Sequence, residues 1–327
     1  MRQVMIPLAL AAGALFAASL VIGPAQIGMA EGLTALVRGG DGPMALVMRE
    51  IRLPRALLAA LIGASLGLAG AAMQGYLRNP LAEPGLIGVS GSAALGAVLA
   101  IQTGLAASFV LGLPLAALAG ALGGVVLVMA LAGPRGASLT LILAGIAISA
   151  LAAALTSLVL NLSPNPFAAS EIVFWMMGSL ADRSMTHVWL ALPFMVLGWA
   201  LLIPLGRGLD ALTLGEDAAE AMGIAMPRLR WRVVVGTACV VGAATAVAGA
   251  IGFVGLVVPH ILRPVVGAQP SRLLWASALG GAVMVLLADI AVRLVLPERD
   301  LKLGVLTALV GAPVFLHLIY KTRRDAV

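Results

Sequence analysis

The sequence contains few charged residues and few aromatic ones. Asp, Glu, Lys and Arg make up 10% of its 327 residues, aromatic residues make up 4%, and hydrophobic residues make up 61%. Soluble domains carry about a quarter charged residues, so the composition excludes a soluble protein. Because no polar stretch is long enough to form a separate soluble domain, we expect residues 1–327 to form one all-α transmembrane domain.

Residues suited to chemistry are also rare. Cys239 is the only cysteine, which excludes an internal disulfide and a cysteine metal cluster. No G-x-x-x-x-G-K-S/T phosphate loop occurs, so the chain does not bind ATP in that manner. His187, His260 and His317 lie far apart in the sequence and predict no metal site. We therefore expect no enzyme, no cofactor and no resident metal.

The formal net charge of +6 indicates membrane topology rather than nucleic-acid binding. Arg2 and the basic tail at 321–324 place both termini in the cytoplasm under the positive-inside rule. Two cytoplasmic termini require an even number of crossings. Ten apolar runs meet this condition, at about residues 4–27, 53–77, 86–101, 106–132, 139–160, 188–204, 233–250, 251–266, 273–296 and 303–320.

The run at 251–266 is the weakest of the ten, because it spans only about 24 Å as a helix. The run at 56–76 is the clearest, since it contains no charged residue and crosses a hydrocarbon layer of about 30 Å once. The segment at 31–50 contains Gly39-Gly40-Asp41-Gly42-Pro43 and predicts a loop.

A weak internal repeat relates two of these regions. Residues 62–88 align without gaps with residues 241–267 and share glycine, alanine and proline positions. Five helices separate the copies, so they run in opposite directions, as in the inverted repeats of transporters. Small residues four positions apart, at Gly63/Gly67, Ala71/Gly75 and Gly120/Gly124, predict close helix packing.

Buried charge is limited to one strong candidate. Asp289 lies near the end of the ninth run, and Arg293 follows one turn later, which predicts an ion pair at spacing (i, i+4). An ion-driven carrier needs acidic residues at mid-membrane. The scarcity of such residues indicates that the energy for transport comes from another subunit.

The polar segment at 207–232 is the longest of those predicted to be cytoplasmic. Glu216, Asp217 and Glu220 begin a short amphipathic helix, where the helix dipole favours acids, and Gly223 suits its end. A second short helix begins at Pro227. The segment is either a solvated surface loop or a plug that docks into a groove of a partner.

Six motifs stand out in order along the chain: RLPR at 52–55, QGYLRNPLAEPGLIGVSG at 74–91, FWMMGSL at 174–180, LGEDAAEAMGI at 214–224, GAIGFVGLVVPHILR at 249–263 and LKLGVLTALVGAPVFLHLI at 301–319. Together they resemble the permease subunits of the bacterial FecCD family, which are ABC importers for iron-siderophores, haem and vitamin B12. The stretch PERDLK at 297–302 departs from the family pattern and adds charge.

The resemblance implies a ten-helix permease that forms a homodimer with two ATPase subunits and a periplasmic binding protein. It assigns docking of the binding protein to Arg52, Arg55 and Arg293. It assigns ATPase coupling to Glu216, Asp217, Glu220, Ala221, Met222 and Gly223. It places the cytoplasmic gate at Asn79 and Leu81, with a second gate candidate from Ser138 to Thr140.

Three transport hypotheses follow. The first is a permease for an iron complex, either a ferric siderophore or haem. The second is a permease for vitamin B12 or another corrinoid, since the same motifs suit both cargoes. The third is an ion-coupled secondary transporter. A membrane enzyme is a fourth reading, and the lack of a clustered nucleophile, acid and metal ligands argues against it.

Overall fold

The computed structural model describes residues 1–23, 28–38, 42–133, 138–164, 166–295 and 301–325. Within these ranges the chain is helical and contains no strand. Short 3₁₀ helices lie at Pro84–Ile87 and Ile203–Leu205, and a π-helical stretch at Val47–Arg52. The α-helices are α1 Arg2–Val21, α2 Met29–Arg38, α3 Pro43–Leu46, α4 Leu53–Tyr76, α5 Val89–Gln102, α6 Leu105–Ser108, α7 Gly112–Ala132, α8 Ser138–Asn161, α9 Pro166–Met176, α10 Met185–Leu202, α11 Gly206–Leu212, α12 Glu216–Ala221, α13 Met226–Ala248, α14 Val254–Leu262, α15 Pro270–Val295 and α16 Leu303–Asp325.

Helix length and composition confirm a polytopic membrane protein. Among the described residues, seven helical runs are long and apolar enough to cross a membrane, and Val89–Gln102 and Leu303–His317 are shorter apolar helices. The weak run at 251–266 contains only the nine residues of α14, which rise about 14 Å. This helix is too short to cross the membrane alone, because the chain leaves the helical conformation from Gly249 to Phe253.

Two helical segments lie where the sequence predicted none. The predicted loop at 31–50 contains α2, α3 and part of the π-helical stretch, and Gly39 to Asp41 lie outside the described residues. Glu31 in the first turn of α2 and Arg38 in its last turn complement the helix dipole. Ala45 and Met48 are buried, so this segment is packed as well as helical. Helix α9 was also missed, because its eleven residues are too few to register as a crossing.

Two of the three predicted small-residue pairs, Gly63/Gly67 and Gly120/Gly124, lie where helices approach closely, whereas Gly75 only touches the Leu209 side chain. A Cβ atom added at Gly63 or Gly67 of α4 would overlap the backbone of Gly281 or Ser277 of α15. A Cβ atom at Gly120 of α7 would overlap the backbone of α5. In lipid, helix association depends on such backbone contact because lipid and side chains are equally apolar. The α4–α15 pair is therefore the close-packed centre of the molecule.

The aligned repeat segments differ in conformation. Gly70 continues α4, whereas its aligned partner Gly249 ends α13 with a φ of 72°. The residues after Gly249 are not helical, although the residues aligned with them remain in α4. The aligned positions therefore differ in where a helix ends, which a shared Gly/Ala pattern does not fix, and the inverted repeat stays a prediction.

The helix directions define two ends of the molecule. Helix α4 begins, and α1 and α15 end, at what we call the arginine face, which carries Arg52, Arg55 and Arg293. Helix α4 ends, and α13 and α15 begin, at what we call the loop face, which carries α11 and α12.

Candidate functional site

Arg52 is buried beneath the end of α1. Arg52 is 4% exposed as a whole residue. Its Nη1 atom donates hydrogen bonds to the carbonyl oxygens of Leu20 at 2.9 Å and Val21 at 2.6 Å. The last carbonyl groups of a helix have no N–H donor within the helix, and the helix dipole favours a cation there. Arg52 therefore caps α1 from the chain segment that precedes α4.

Arg55 and Arg293 share one carboxylate. The Nε atom of Arg55 lies 2.9 Å from Oδ1 of Asp289, and the Nη2 atom of Arg293 lies 2.9 Å from Oδ2. The side chains of Asp289, Arg293 and Arg55 are 1%, 7% and 19% exposed. The predicted (i, i+4) ion pair is confirmed, and Arg55 joins it from a helix 234 residues away in sequence.

Arg293 also binds the end of α1. Its Nη1 atom donates to the carbonyl oxygens of Ser19 at 2.9 Å and Ile22 at 2.6 Å, and its Nη2 atom donates to Ser19 Oγ at 2.6 Å. Arg52, Arg55, Arg293 and Asp289 thus form one group, which we call the arginine cluster. The cluster joins the ends of three helices, and each guanidinium group already has a partner within the chain. The docking role of the three arginines stays a prediction.

A polar cavity of about 360 Å³ lies beside α9 and the start of α10. Glu171, Asp182, Arg183 and Lys302 contribute charges to its lining. Burial lowers the pKa of the Arg183 guanidinium, and the neighbouring Asp182 carboxylate opposes that shift. The Nζ atom of Lys302 lies 5.6 Å from the centre of the Phe174 ring, within cation–π distance. Residues 296–300 of the divergent stretch lie outside the described residues.

The predicted coupling residues lie on an exposed elbow at the loop face. Helix α12 has six residues, Glu216–Ala221, and only Ala219 among them is buried. Met222 is 63% exposed and Leu214 is 71% exposed. All six predicted positions are exposed: Glu216, Asp217, Glu220, Ala221, Met222 and Gly223. The apolar residues predicted to share one face of this helix are therefore divided, since Leu212 is buried whereas Leu214 and Met222 are exposed.

The end of α12 and the start of the next helix have the predicted residues. Gly223 has a φ of 84°, and its N–H donates to the carbonyl of Glu220 at 2.8 Å, so it ends α12 as a helix-terminating glycine. Pro227 lies in the first turn of the next helix. That helix is the long α13 rather than a short one, and it begins at Met226, earlier than the apolar run at 233–250 indicated. Arg230 within this extension is buried, which the apolar pattern cannot register.

The gate candidates lie at the loop face. Asn79 is exposed, and its Oδ1 atom accepts the backbone N–H of Leu81 at 2.9 Å, which closes the turn after α4. Leu81 is half-buried. Ser138 begins α8 and Thr140 is exposed in its first turn. The structure therefore places both candidate turns at one face, and their gating role stays a prediction.

Three hydrogen bonds hold α14 and were missed from the sequence. Gln74 Nε2 donates to the carbonyl of Leu256 at 3.2 Å, and Arg263 Nη2 donates to Gln74 Oε1 at 2.7 Å. The backbone N–H of Phe253 donates to Glu83 Oε1 at 3.1 Å, at the start of α14. Gln74 and Glu83 belong to the motif at 74–91, but one sequence does not show their distant partners. These contacts fix the half-length helix against α4.

No group of three or more His, Cys, Asp or Glu side chains with metal-binding geometry occurs among the described residues. Cys239 is buried and unbonded to another cysteine. The described residues thus form a packed helical body with the arginine face at one end and the loop face at the other.

Comparison with known proteins identifies relatives for nearly the whole chain. Residues 10–321 match the FecCD transport family. The vitamin B12 import system permease protein BtuC of Vibrio cholerae is 40% identical over 273 residues, which cover 83% of this chain and 82% of that protein. The Fe(3+) dicitrate transport system permease protein FecD of Escherichia coli is 37% identical over 277 residues, which cover 85% of this chain and 86% of that protein.

One solved structure is similar along the full length. It is a metal-chelate type ABC transporter in an inward-facing conformation, with a TM-score of 0.87 and 35% sequence identity. The match covers 98% of this chain and 100% of that one. The helical body and the exposed elbow described above therefore belong to a fold that a solved transporter shares.

Proposed function

Because the chain belongs to the FecCD transport family and is an ABC importer permease subunit rather than an enzyme, we propose that it moves an iron complex across the inner membrane. The cargo is a ferric siderophore or haem, and a separate ATPase subunit drives its passage. Similarity to the Fe(3+) dicitrate permease and to the metal-chelate type transporter supports this cargo. The alternative is vitamin B12, which the similarity to BtuC supports.

The observation that carries this proposal is the exposed elbow at the loop face. A six-residue helix is too short to be stable alone in water, and here Ala219 and the glycine-terminated turn hold it outward. Met222 and Leu214 are large apolar side chains exposed to solvent, and a groove on an ATPase subunit would bury them. In this proposal the loop face and both termini are cytoplasmic, and residues 1–327 form one domain that dimerises.

Reconstituted vesicles test the function. The permease is inserted with its ATPase subunit, ATP is enclosed, and uptake of a labelled ferric siderophore, haem or cobalamin is measured with the binding protein outside. We expect ATP-dependent uptake of an iron complex in the absence of an ion gradient. Uptake of cobalamin alone selects the alternative cargo, and uptake that needs an ion gradient but no ATPase contradicts the proposal.

The elbow gives a first prediction. Replacing Glu220-Ala221-Met222 by Gly-Ser-Gly removes the apolar contact and unfolds the short helix, so ATP-dependent uptake should fall to the level seen without ATP. Protein yield and thermal unfolding in detergent should not change, because all three residues are exposed. Normal uptake by this variant would show that the elbow is only a solvated loop.

Docking of the binding protein at Arg52, Arg55 and Arg293 is part of the same proposal. Arg55 keeps the largest exposed fraction among these side chains, so an acidic partner reaches it first. Such pairs increase association rates and orientation more than affinity. The cavity lined by Arg183 and Lys302 lies beside α9 and the start of α10.

A second prediction compares the contributions of Arg55 and its neighbour Arg49 to docking of the binding protein. Both are positively charged, and Arg49 is exposed on the π-helical stretch that precedes α4. The Arg55→Gln variant should slow association of the binding protein at low salt more than Arg49→Gln does, as measured by surface plasmon resonance. Equal effects of the two variants would assign docking to the general charge of this face, not to Arg55.

A further inference from the structure

Helix α15 extends from the loop face to the arginine face. Its 26 residues, Pro270–Val295, rise about 39 Å, which is longer than the hydrocarbon layer. Its first turn lies against α11, and its last turns carry Asp289 and Arg293. One helix therefore contacts both surfaces that the proposed function assigns to partners.

Asp210 of α11 fixes the first turn of α15. Its Oδ1 atom accepts the backbone N–H of Ser271 at 2.8 Å, and its Oδ2 atom accepts the side-chain N–H of Gln269 at 2.9 Å. The first N–H groups of a helix have no acceptor within it, and the dipole favours an anion there. Asp210 thus caps α15 from a different helix, with charge-assisted bonds that are stronger than neutral ones.

Packing beside this cap is close as well. A Cβ atom at Gly206, the first residue of α11, would lie 2.9 Å from Cβ of Ser271. Leu209 of α11 is fully buried and lies against Gly75 near the end of α4. Helix α11 cannot shift relative to α4 and α15 without loss of these contacts, and the elbow α12 follows it after three residues.

The middle of α15 moves with α4. Backbone contact at Gly63/Gly281 and Gly67/Ser277 leaves no side chain between the two helices that could absorb a shift. Closely packed helices move as units rather than deform continuously. At the far end, Asp289 joins α15 to Arg55 of α4, and Arg293 joins it to α1.

We propose that Asp210 is a positioning residue that transmits displacement of the elbow to α15, and that the α4–α15 pair carries this displacement to the arginine cluster. The inference rests on the proposed function, since it takes the elbow as the contact with the ATPase. Asp210 touches neither ATP nor cargo in this scheme. It makes the loop face and the arginine face one mechanical unit.

The test compares the assembled transporter with and without a non-hydrolysable ATP analogue by hydrogen exchange in lipid nanodiscs. In the wild type, the analogue should change amide exchange in the peptides that contain Arg52, Arg55 and Asp289. Asp210→Ala should remove this difference, because both bonds to α15 are lost. Asp210→Asn should retain most of it, because its carbonyl oxygen still accepts the Ser271 N–H. Arg272→Gln changes an exposed residue in the same turn of α15 and should behave as the wild type.

Stimulation of ATP hydrolysis by the binding protein is the second measurement. Asp210→Ala should lower the ratio of stimulated to basal rate, and Asp210→Asn should restore it, which a general loss of stability would not produce. If Asp210→Ala does not assemble, Gln269→Ala removes one of the two bonds and should reduce the exchange difference. An unchanged difference in either variant overturns the inference.

The same experiment distinguishes the two proposals. A wild-type complex that shows stimulated hydrolysis, combined with an Asp210→Ala variant identical to it, overturns the inference and leaves the proposed function in place. A wild-type complex without stimulated hydrolysis and without uptake contradicts the proposed function, and the inference fails with it.

Discussion

Replacing Asp289 by alanine should destabilise the protein by about 3–5 kcal/mol, because it leaves buried guanidinium groups without their shared carboxylate. Arg55 and Arg293 both contact this side chain, which is itself 1% exposed. The expected measurement is a lower free energy of unfolding in mixed micelles and a lower yield of folded protein. The stability of Asp289→Asn should fall between those of the wild type and Asp289→Ala, since asparagine keeps an acceptor oxygen but removes the charge.

Glu50→Ala is the matched control for this prediction. Glu50 is an acidic residue near the same face, but it is exposed, and such surface changes stay within about 0.5 kcal/mol. If Asp289→Ala were as stable as Glu50→Ala, the arginine cluster would contribute nothing to folding, and its role would be confined to partner binding.

Replacing Gly281 by leucine should be equally damaging for a different reason. Added core volume usually costs about 1–3 kcal/mol when neighbouring side chains can move. Here a Cβ atom would overlap the backbone oxygen of Gly63, which cannot move without displacing α4. We expect a cost at or above the upper end of that range, seen as loss of folded protein on size-exclusion chromatography in detergent.

Gly123→Leu provides the comparison. This glycine of α7 is exposed, and a Cβ atom there meets nothing within 4 Å. The same substitution should therefore leave folding nearly unchanged. Equal loss in both variants would indicate an effect of leucine on glycine-rich helices in general, and would remove the case for close α4–α15 contact.

The sequence predicted the features that depend on local pattern. The extent of α4 follows from an uncharged apolar run, and the Asp289–Arg293 pair follows from its four-residue spacing. The turn at Gly223 follows from the need for positive φ at a helix end. In each case the residues that decide the structure lie within one or two turns of each other.

Features that depend on distant partners were not predictable in this way. Arg55 reaches Asp289 across 234 residues, and Asp210 reaches Ser271 across 61. Nothing in the spacing of either pair indicates contact. The short helix α14 was predicted as a full crossing because hydropathy measures apolar length, whereas Gly249 and the Glu83 contact decide where the helix starts.

The long separation within the arginine cluster has a consequence for biosynthesis. Ribosomes add about 5–20 residues per second, so Arg55 leaves the ribosome at least about 12 seconds before the Asp289 to which it bonds, given the 234 intervening residues. During that interval Arg55 lies at the edge of the lipid without the carboxylate of α15, and α1 has the bonds from Arg52 but not those from Arg293. The attachment of α1 is therefore completed only after almost the whole polypeptide has been made, because Arg293 supplies its last hydrogen bonds.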